Sequence, residues 1–347
     1  MTQKYALFFA VQNLLLLLQP LSAPHKTCLN RCSLDGLYNA ILFFFGNKII
    51  MKVLHLYLIF LIALFSVSCN NSRGKKASQG KLSQSKSDVL KVAVMPTLDC
   101  LPLYLAQERG LFHTDSLDVK LLFYTAQMDC DTAVLRGHVD VVVTDLVRAE
   151  RMKSQGLNLQ YLTSTNLFWQ LFSNRSARIK TIKQLGDKMV AVTRFSGTDY
   201  LLTTLVDSSK LKNEVFHIQI NDINVRLKML LNNEIDAAFL PEPQATMARK
   251  NNHYMLLDTR DKQVELGVMA FNSKKVGSKR KRMLLNTFVK VYSQACDSLN
   301  ANGIQPYRDI LKKYYQLDDK VIQMLPNLKY KKVAMPREND IQRAKQF

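Results

Sequence analysis

Residues 89–112, VLKVAVMPTLDCLPLYLAQERGLF, contain the pattern that decides the fold. The run Val89–Val94 is rich in β-branched and apolar residues and predicts a buried strand. A polar turn follows, and the apolar periodicity of Cys100–Glu108 predicts a helix that Asp99 caps and Gly110 ends. A strand that passes through a polar turn into a helix is the unit from which parallel sheets are built.

The same unit recurs along most of the remaining chain. Further strands are predicted at Leu117–Phe123, Val139–Val143, Leu159–Thr163, Phe168–Ser173, Met189–Thr193, Phe216–Ile220, Ala237–Leu240, Tyr254–Leu257 and Val264–Phe271. Helices alternate with these strands, so we predict an α/β fold with parallel sheets wrapped by helices. Two similar lobes account for the repeat, lobe 1 from residues 89–175 and 265–347 and lobe 2 from residues 176–264.

Short motifs along residues 89–272 resemble those of one family of solute-binding proteins. They are Leu103–Phe112, Leu135–Asp140, Leu185–Ala191, Asn233–Ala237 and Pro241–Pro243. In order and spacing they resemble the nitrate, sulfonate, taurine and thiamine-precursor receptors of ABC importers, the SsuA/THI5-like family. The resemblance implies a type II periplasmic-binding-protein fold, in which two α/β lobes with a hinge hold a small molecule in the cleft between them. It also implies an ABC permease and its ATPase as partners.

Candidate ligand-binding residues follow from where ligands bind in open α/β sheets, beyond the carboxyl ends of the strands. Most of the candidate residues are polar and lie at those ends, and the set also contains one cysteine and, near the lobe crossover, one aromatic residue. The candidates are Thr97, Asp99, Cys100, Gln127, Asp129, Thr144, Asp145, Thr165, Trp169, Ser196, Gly197, Thr198, Asn221 and Glu242. The helix N-termini there suit carboxylate, sulfonate or phosphate oxygens. The acidic side chains would instead favour an amine, another cation or a metal, unless they only cap helices. Both alternatives stay open.

Cys100 and Cys130 each follow an aspartate at neighbouring predicted strand ends. They could be inert buried groups, could form a disulfide in an oxidising compartment, or could contact a ligand or metal. The sequence contains no CxxC, HExxH, GxGxxG, Walker A or GxSxG motif, which removes the usual support for the enzyme classes that depend on them. We predict no catalytic residues, no cofactor and no metal ligands.

The N-terminal region has the layout of a secretion signal. Met51-Lys52 precedes an apolar run, and Ser66–Cys69 resembles a loose bacterial lipobox. We therefore expect a lipoprotein signal peptide at residues 51–68, lipid on Cys69 and a flexible tether at residues 69–88. The protein would then be lipid-anchored in the cell envelope, facing the periplasm or the exterior. The alternative is a transmembrane helix, but the run is shorter than the ~20 residues that a span needs.

Residues 1–50 have no evident role ahead of a complete signal peptide, and we expect that translation starts at Met51. Residues 1–68 account for +4 of the net charge of +20. The other basic residues are spread along the chain, with local clusters at Arg73–Lys86 and Lys274–Arg282. This distribution favours a solvated surface or an anionic membrane over nucleic acid as the partner.

The leading functional hypothesis is a lipid-anchored receptor for a small molecule, such as a thiamine pyrimidine or a sulfonate. One alternative is an enzyme of thiamine-pyrimidine or menaquinone-precursor metabolism on the same fold. The signal segment argues against that alternative, because such enzymes work in the cytoplasm. A second alternative is a ligand sensor that reports to a partner protein.

Overall fold

The computed structural model describes residues 89–114 and 117–347, and in this part of the chain eleven strands form two sheets. The strands are β1 (Leu90–Val94), β2 (His113–Thr114), β3 (Leu117–Phe123), β4 (Val141–Asp145), β5 (Leu159–Ser164), β6 (Gln170–Ser173), β7 (Met189–Val192), β8 (Phe216–Gln219), β9 (Ala237–Leu240), β10 (Tyr254–Asp258) and β11 (Gly267–Asn272). The predictions for residues 1–50, the signal peptide, Cys69 and the tether lie outside the described residues.

Ten α-helices pack on these sheets within the same described ranges. They are α1 (Leu101–Glu108), α2 (Gln127–Leu135), α3 (Leu146–Ser154), α4 (Gly197–Ser209), α5 (Ile223–Leu231), α6 (Gln244–Lys250), α7 (Lys279–Asn302), α8 (Arg308–Tyr315), α9 (Asp319–Met324) and α10 (Glu338–Gln346). None of the helices in residues 89–114 and 117–347 has the length and apolar content that a membrane crossing requires. The sequence analysis did not predict α10.

The first sheet has the strand order β2-β3-β1-β4-β11-β5. β1 lies at its centre and pairs in parallel with β3 and β4, and four of its five residues are buried. The sheet is mixed and not parallel throughout, because β11 is antiparallel to both β4 and β5. The physical reason is that β11 returns from the second lobe and therefore enters the sheet from the opposite end.

The second sheet has the order β10-β6-β9-β7-β8, with β7 parallel to β8 and β9. β6 is antiparallel to β9 and β10 is antiparallel to β6. The predicted boundary of lobe 1 at residue 175 therefore needs correction, since Gln170–Ser173 hydrogen-bonds in the second sheet. The apolar run that marked this strand carried no information about which sheet it would join. Lobe 1 is therefore defined as the part that contains the first sheet, and lobe 2 as the part that contains the second.

Two chain segments, residues 165–169 and 259–266, connect the lobes. They lie side by side, because the backbone N–H of Trp169 donates to Thr259 Oγ1 and the N–H of Thr259 donates to the carbonyl of Trp169, both at 3.0 Å. We call these two residues the hinge pair. At the start of β11, the N–H of Thr165 donates to the carbonyl of Gly267 at 3.0 Å. The crossovers are thus joined to each other and to the first sheet.

The C-terminal helices extend the core of lobe 1 and also reach lobe 2. The helix α7 buries Leu284, Phe288 and Tyr292 at helical spacing, and it packs on α1 and β3. The helix α10 packs on α3, whereas α9 packs on α6 of lobe 2. The segment 265–347 was predicted to belong to lobe 1 alone, and its contact with α6 adds a link between the lobes.

The basic cluster Lys274–Arg282 lies at the edge of the first sheet where β1 begins. Lys281 Nζ is 2.7 Å from Asp140 Oδ1, and the other carboxylate oxygen of Asp140 accepts from the N–H of Lys91 at 2.9 Å. Lys91 is the second residue of β1, so the cluster is opposite the edge at which the carboxyl ends of the parallel strands lie. Its charge is therefore remote from the candidate ligand-binding residues.

Gly267 marks a close approach between β11 and the first crossover. A Cβ at this position would lie 2.5 Å from the side chains of both Leu167 and Thr165. We expect Gly267→Ala to lower the free energy of unfolding by about 1–3 kcal/mol, since overpacking forces neighbouring atoms to shift. Gly277→Ala is the control, because a Cβ there meets no atom closer than 3.5 Å. Equal urea midpoints for the two variants would contradict this account of the crossover.

Candidate ligand-binding cleft

The carboxyl ends of the parallel strands of both lobes face each other, and the line along which they meet is the candidate cleft. Loops after β1, β3 and β4 contact loops after β7, β8 and β9. Hydrogen bonds that cross the cleft include Leu98 N to Glu242 O (2.9 Å), Gly197 N to Asp145 Oδ1 (2.9 Å), Gln244 Nε2 to Pro96 O (3.1 Å) and Ile223 N to Thr125 O (3.4 Å). The lobes are therefore closed on each other in this structure.

Buried tyrosines fix the loop that follows β1. Their hydroxyl groups donate to successive backbone carbonyls: Tyr104 to Met95 (2.6 Å), Tyr315 to Thr97 (3.1 Å) and Tyr330 to Leu98 (2.9 Å). The loop cannot move without breaking these bonds, so the residues it carries into the cleft are held in place. Sequence reasoning missed Tyr315 and Tyr330, because nothing near them in sequence indicates that they reach a loop more than two hundred residues away.

Asp99 lies at the base of this loop and differs from the prediction. It caps no helix, since Thr97 and Cys100 occupy the cap positions of the short helical segment and of α1. Its side chain is buried, and Oδ2 accepts from Thr165 Oγ1 at 3.0 Å. Among the described residues, no group hydrogen-bonds to its Oδ1. Burial raises the pKa of Asp99, because the charged form is removed from water.

A small cavity of about 10 Å³ adjoins Asp99. Both lobes line it: its walls are Leu98, Asp99, Asn166, Leu167, Phe168, Glu242 and Leu328. This volume is about what one water molecule needs, so a larger group can reach Asp99 only if the lobes separate first.

A larger cavity of about 350 Å³ lies against the two crossovers and shares the wall formed by Asn166, Leu167, Phe168 and Leu328. The guanidinium of Arg260 lies over the ring of Phe168, 4.3 Å from its centroid, and is paired with Asp258. Cavities of this volume suit small organic ligands. Phe168 lines this cavity, and the candidate residue Trp169 does not.

Asp145 bonds to two helices at once. One carboxylate oxygen, Oδ1, accepts from the N–H of Arg148 in the first turn of α3 (3.0 Å) and from the N–H of Gly197 at the start of α4 in the other lobe (2.9 Å). Burial raises the pKa of Asp145 to about 6, although the nearby Arg148 partly opposes the shift. The predicted cap at Asp145 is confirmed, and its second bond crosses the cleft.

Glu242 and the residues at the start of α4 are also bonded within the protein. Glu242 accepts from the N–H and the hydroxyl of Thr246 and pairs with Arg249. Ser196 caps α4 by accepting from the N–H of Thr198 at 3.1 Å. These groups position the loops of lobe 2 at the cleft.

Several predicted residues lie near the cleft without lining its cavities. Gln127 donates to Thr144 at 3.3 Å, and Asn221 accepts from Gln219. The helix α2 begins at Gln127, with Ala126 at its cap position. Asp129 is therefore an exposed residue of the first turn and not a cap.

Trp169 and the cysteines are buried. A Cβ on Gly197 would lie 2.9 Å from the Trp169 ring, so this ring packs on the start of α4 next to the hinge pair. Cys100 and Cys130 are free thiols. Burial raises the pKa of both, so neither forms a thiolate at neutral pH. Within residues 89–114 and 117–347, no group of His, Cys, Asp or Glu side chains is arranged to hold a metal ion.

Asp131 and Arg148 form a buried ion pair next to Asp145 that sequence reasoning missed. Arg148 Nη1 also donates to the carbonyl of Arg194 across the cleft at 3.4 Å. The spacing of Asp131 in α2 and Arg148 in α3 carries no motif, and only the packing of the two helices brings them together.

Comparison with known proteins identifies the family and the fold of this chain. The family model described as NMT1/THI5 like matches residues 97–302. The fold is similar to the alkanesulfonate-binding protein SsuA from Xanthomonas axonopodis pv. citri bound to MOPS, with a TM-score of 0.63 and 14% identity over 75% of this chain and 90% of that one. No curated protein matches the sequence.

Two further solved structures have the same fold. The ligand-binding component of an ABC-type import system from Staphylococcus aureus with zinc bound has a TM-score of 0.63 and 15% identity, covering 74% of this chain and 89% of that one. The periplasmic nitrate-binding protein NrtA from Synechocystis PCC 6803 has a TM-score of 0.60 and 12% identity, covering 68% and 69%. These similarities confirm the predicted fold class of two α/β lobes.

The raised pKa of Asp145 predicts a pH-dependent effect of Asp145→Asn. In the folded protein Asp145 stays protonated up to about pH 6, whereas the ordinary pKa of this group is 3.8. Above pH 6 its buried charge therefore lowers the free energy of unfolding by at most about 3 kcal/mol. Asparagine keeps the acceptor oxygen but has no charge. We expect the variant to gain stability relative to the wild type as pH rises from 4 to 7.

Urea unfolding at several pH values measures this difference. Asp129→Asn, which removes one exposed negative charge near the same cleft, is the control. A stability difference between Asp145→Asn and the wild type that stays constant from pH 4 to 7 would show that the buried charge at Asp145 carries no such penalty.

Proposed function

The chain belongs to the NMT1/THI5-like family, and from this premise we propose that it is the solute-binding component of an ABC importer. In this proposal it captures a small molecule, such as a thiamine pyrimidine or a sulfonate, between its two lobes and delivers it to the permease, whose ATPase drives import. The observation that carries the proposal is the cleft itself. Loops at the strand ends of both lobes meet there, and two adjacent crossovers join the lobes.

The hinge pair supports an opening motion. Trp169 and Thr259 hold the crossovers side by side at a single place, so the lobes can rotate about it with little change inside either sheet. The bonds that cross the cleft are individual hydrogen bonds, each contributing about 1 kcal/mol. A ligand that bridges the lobes can therefore decide between the open and closed arrangements.

The state of the polar side chains favours binding over catalysis. Asp145, Glu242 and Ser196 are engaged with helix N-termini, and the buried thiols of Cys100 and Cys130 have raised pKa values. Groups committed in this way hold loops in position and are poorly placed to exchange protons with a substrate. An enzyme on the same fold and a ligand sensor are the alternatives that the tests below address.

We place the protein outside the cytoplasm, anchored by lipid on Cys69. The signal-like residues 51–68, the lipobox-like Ser66–Cys69 and the polar tether 69–88 support this placement. A tethered receptor keeps its ligand close to the permease, which explains why such a segment accompanies this fold.

A disulfide across the cleft tests the receptor proposal. Ala126 and Asp222 are paired in an antiparallel bridge between the lobes, where Cα atoms lie about 4.5–5.5 Å apart and a disulfide can form. We expect oxidised Ala126→Cys/Asp222→Cys to exclude small molecules that the reduced protein binds. Native mass spectrometry of the full-length protein in detergent, with a panel of 4-amino-5-hydroxymethyl-2-methylpyrimidine, taurine and butylamine, measures this.

The two single-cysteine variants under the same oxidant are the controls, and they also report the loss of the Asp222 cap on α5. Equal binding by the oxidised and reduced double variant would contradict a hinged receptor. Conversion of a bound compound into a product would favour the enzyme. A sensor would bind its ligand in the same way but would support no uptake of that ligand by cells.

The anchor has a separate test. We expect Cys69→Ala to abolish incorporation of labelled palmitate and to move the protein from the membrane fraction to the soluble fraction. Cys32→Ala is the control, because residue 32 lies upstream of the proposed start at Met51 and its change is expected to have no effect. Retention of Cys69→Ala in the membrane fraction would favour a transmembrane helix at residues 51–68.

A further inference from the structure

We propose that the cleft selects a small organic cation, such as a protonated amine or amidine, and that Asp99 is the residue that receives its N–H group. This inference rests on the proposed function and deepens it by naming the ligand class. It contrasts with capture of an anion such as a sulfonate.

Asp99 is a buried carboxylate with an oxygen to spare. It is 5% exposed, Oδ2 accepts from Thr165, and in the described part of the chain Oδ1 has no partner. A buried polar atom without a partner is unfavourable, so its presence in a native protein needs an explanation. Other buried carboxylates of the protein have cationic partners: Glu242 has Arg249, Asp140 has Lys281, and Asp258 has Arg260.

The surroundings of Asp99 prevent it from turning to another partner. Tyr315 and Tyr330 hold the carbonyls of the two preceding residues, and Thr165 fixes one carboxylate oxygen. The cavity beside Asp99 is lined by Glu242 from the opposite lobe. A group that occupies this cavity beside Asp99 lies between the lobes, so its binding is coupled to their closure.

In lobe 2, helix N-termini that could receive an anion are already bonded to carboxylates of the protein. An anionic ligand of lobe 2 would bind at the N-termini of its helices. There, Asp145 accepts from Gly197 of α4, and Asp222 accepts from the N–H groups of Asn224 and Val225 of α5. An anion would have to displace these carboxylates, whereas a cation meets an unpartnered one.

The rest of the ligand has an apolar wall available. Phe168 lines the small cavity beside Asp99 and also the larger cavity of about 350 Å³ at the crossovers. One face of its ring carries Arg260, whose charge is already paired with Asp258. A ligand with a ring or short alkyl group next to its cationic nitrogen matches this arrangement.

Matched pairs of compounds that differ in charge test the proposal. The probes are benzylamine against benzenesulfonate and butylamine against butanesulfonate, titrated into the full-length protein in detergent and followed by calorimetry. We expect the amines to bind and the sulfonates to bind at least tenfold more weakly. Asp99→Asn, which keeps an oxygen for Thr165, is expected to weaken amine binding at least tenfold.

Asp297→Asn is the control for charge, because Asp297 is exposed on α7 in lobe 1 and is not among the candidate ligand-binding residues. The comparison of amines with sulfonates on the wild type decides the proposal even if Asp99→Asn fails to fold. Sulfonate binding as tight as amine binding, amine binding unchanged in a folded Asp99→Asn, or binding of neither member of any pair would overturn it. The cross-cleft disulfide would still exclude another panel compound in those cases, so the receptor proposal is tested separately.

Discussion

The bond between Asp145 and the N-terminus of α4 joins the two closed lobes and also involves the cap of a helix in lobe 1. Asp145 is the last residue of β4. One oxygen of its carboxylate caps α3 in its own lobe and also accepts from the N–H of Gly197 in the other lobe. Each lobe satisfies its own sheet, but the first N–H groups of a helix at the cleft need a partner from elsewhere. Here the opposite lobe provides this partner. Trp169, which belongs to the hinge pair, packs on the same glycine. Closure and hinge therefore meet at one residue.

The acidic residues at the cleft serve two different purposes. Asp145, Asp222 and Glu242 hold helix N-termini, so they act as parts of the frame. Asp99 holds no helix, and one of its oxygens finds no partner in the described part of the chain. The sequence left open whether such residues were caps or ligand contacts. In the structure Asp145 and Asp222 are caps and Asp99 is not. This division is why we expect the charge of the ligand to be opposite to that of Asp99.

Local sequence patterns predicted the individual strands and helices better than they predicted which of these elements pack against each other. The strands Leu117–Phe123 and Ala237–Leu240 have the predicted bounds, because polar turns and apolar runs define them locally. The sheet to which Gln170–Ser173 belongs was assigned wrongly, since a short apolar run fits either lobe. Likewise, Tyr330 and Phe168 reach the site only through contacts distant in sequence, and neither lies in a motif. The general position of the cleft followed from the rule for strand ends, but its cavities did not.

The most direct test of the central claim, two lobes that open and close about the crossovers, is a distance measurement across the rim of the cleft. Spin labels at Asp129→Cys in lobe 1 and Val225→Cys in lobe 2 occupy exposed positions on helices that start at the rim. Pulsed electron double resonance on the full-length protein should show two distances, with the shorter one favoured when a compound that binds is added. A single narrow distance, unchanged by any bound compound, would contradict the account.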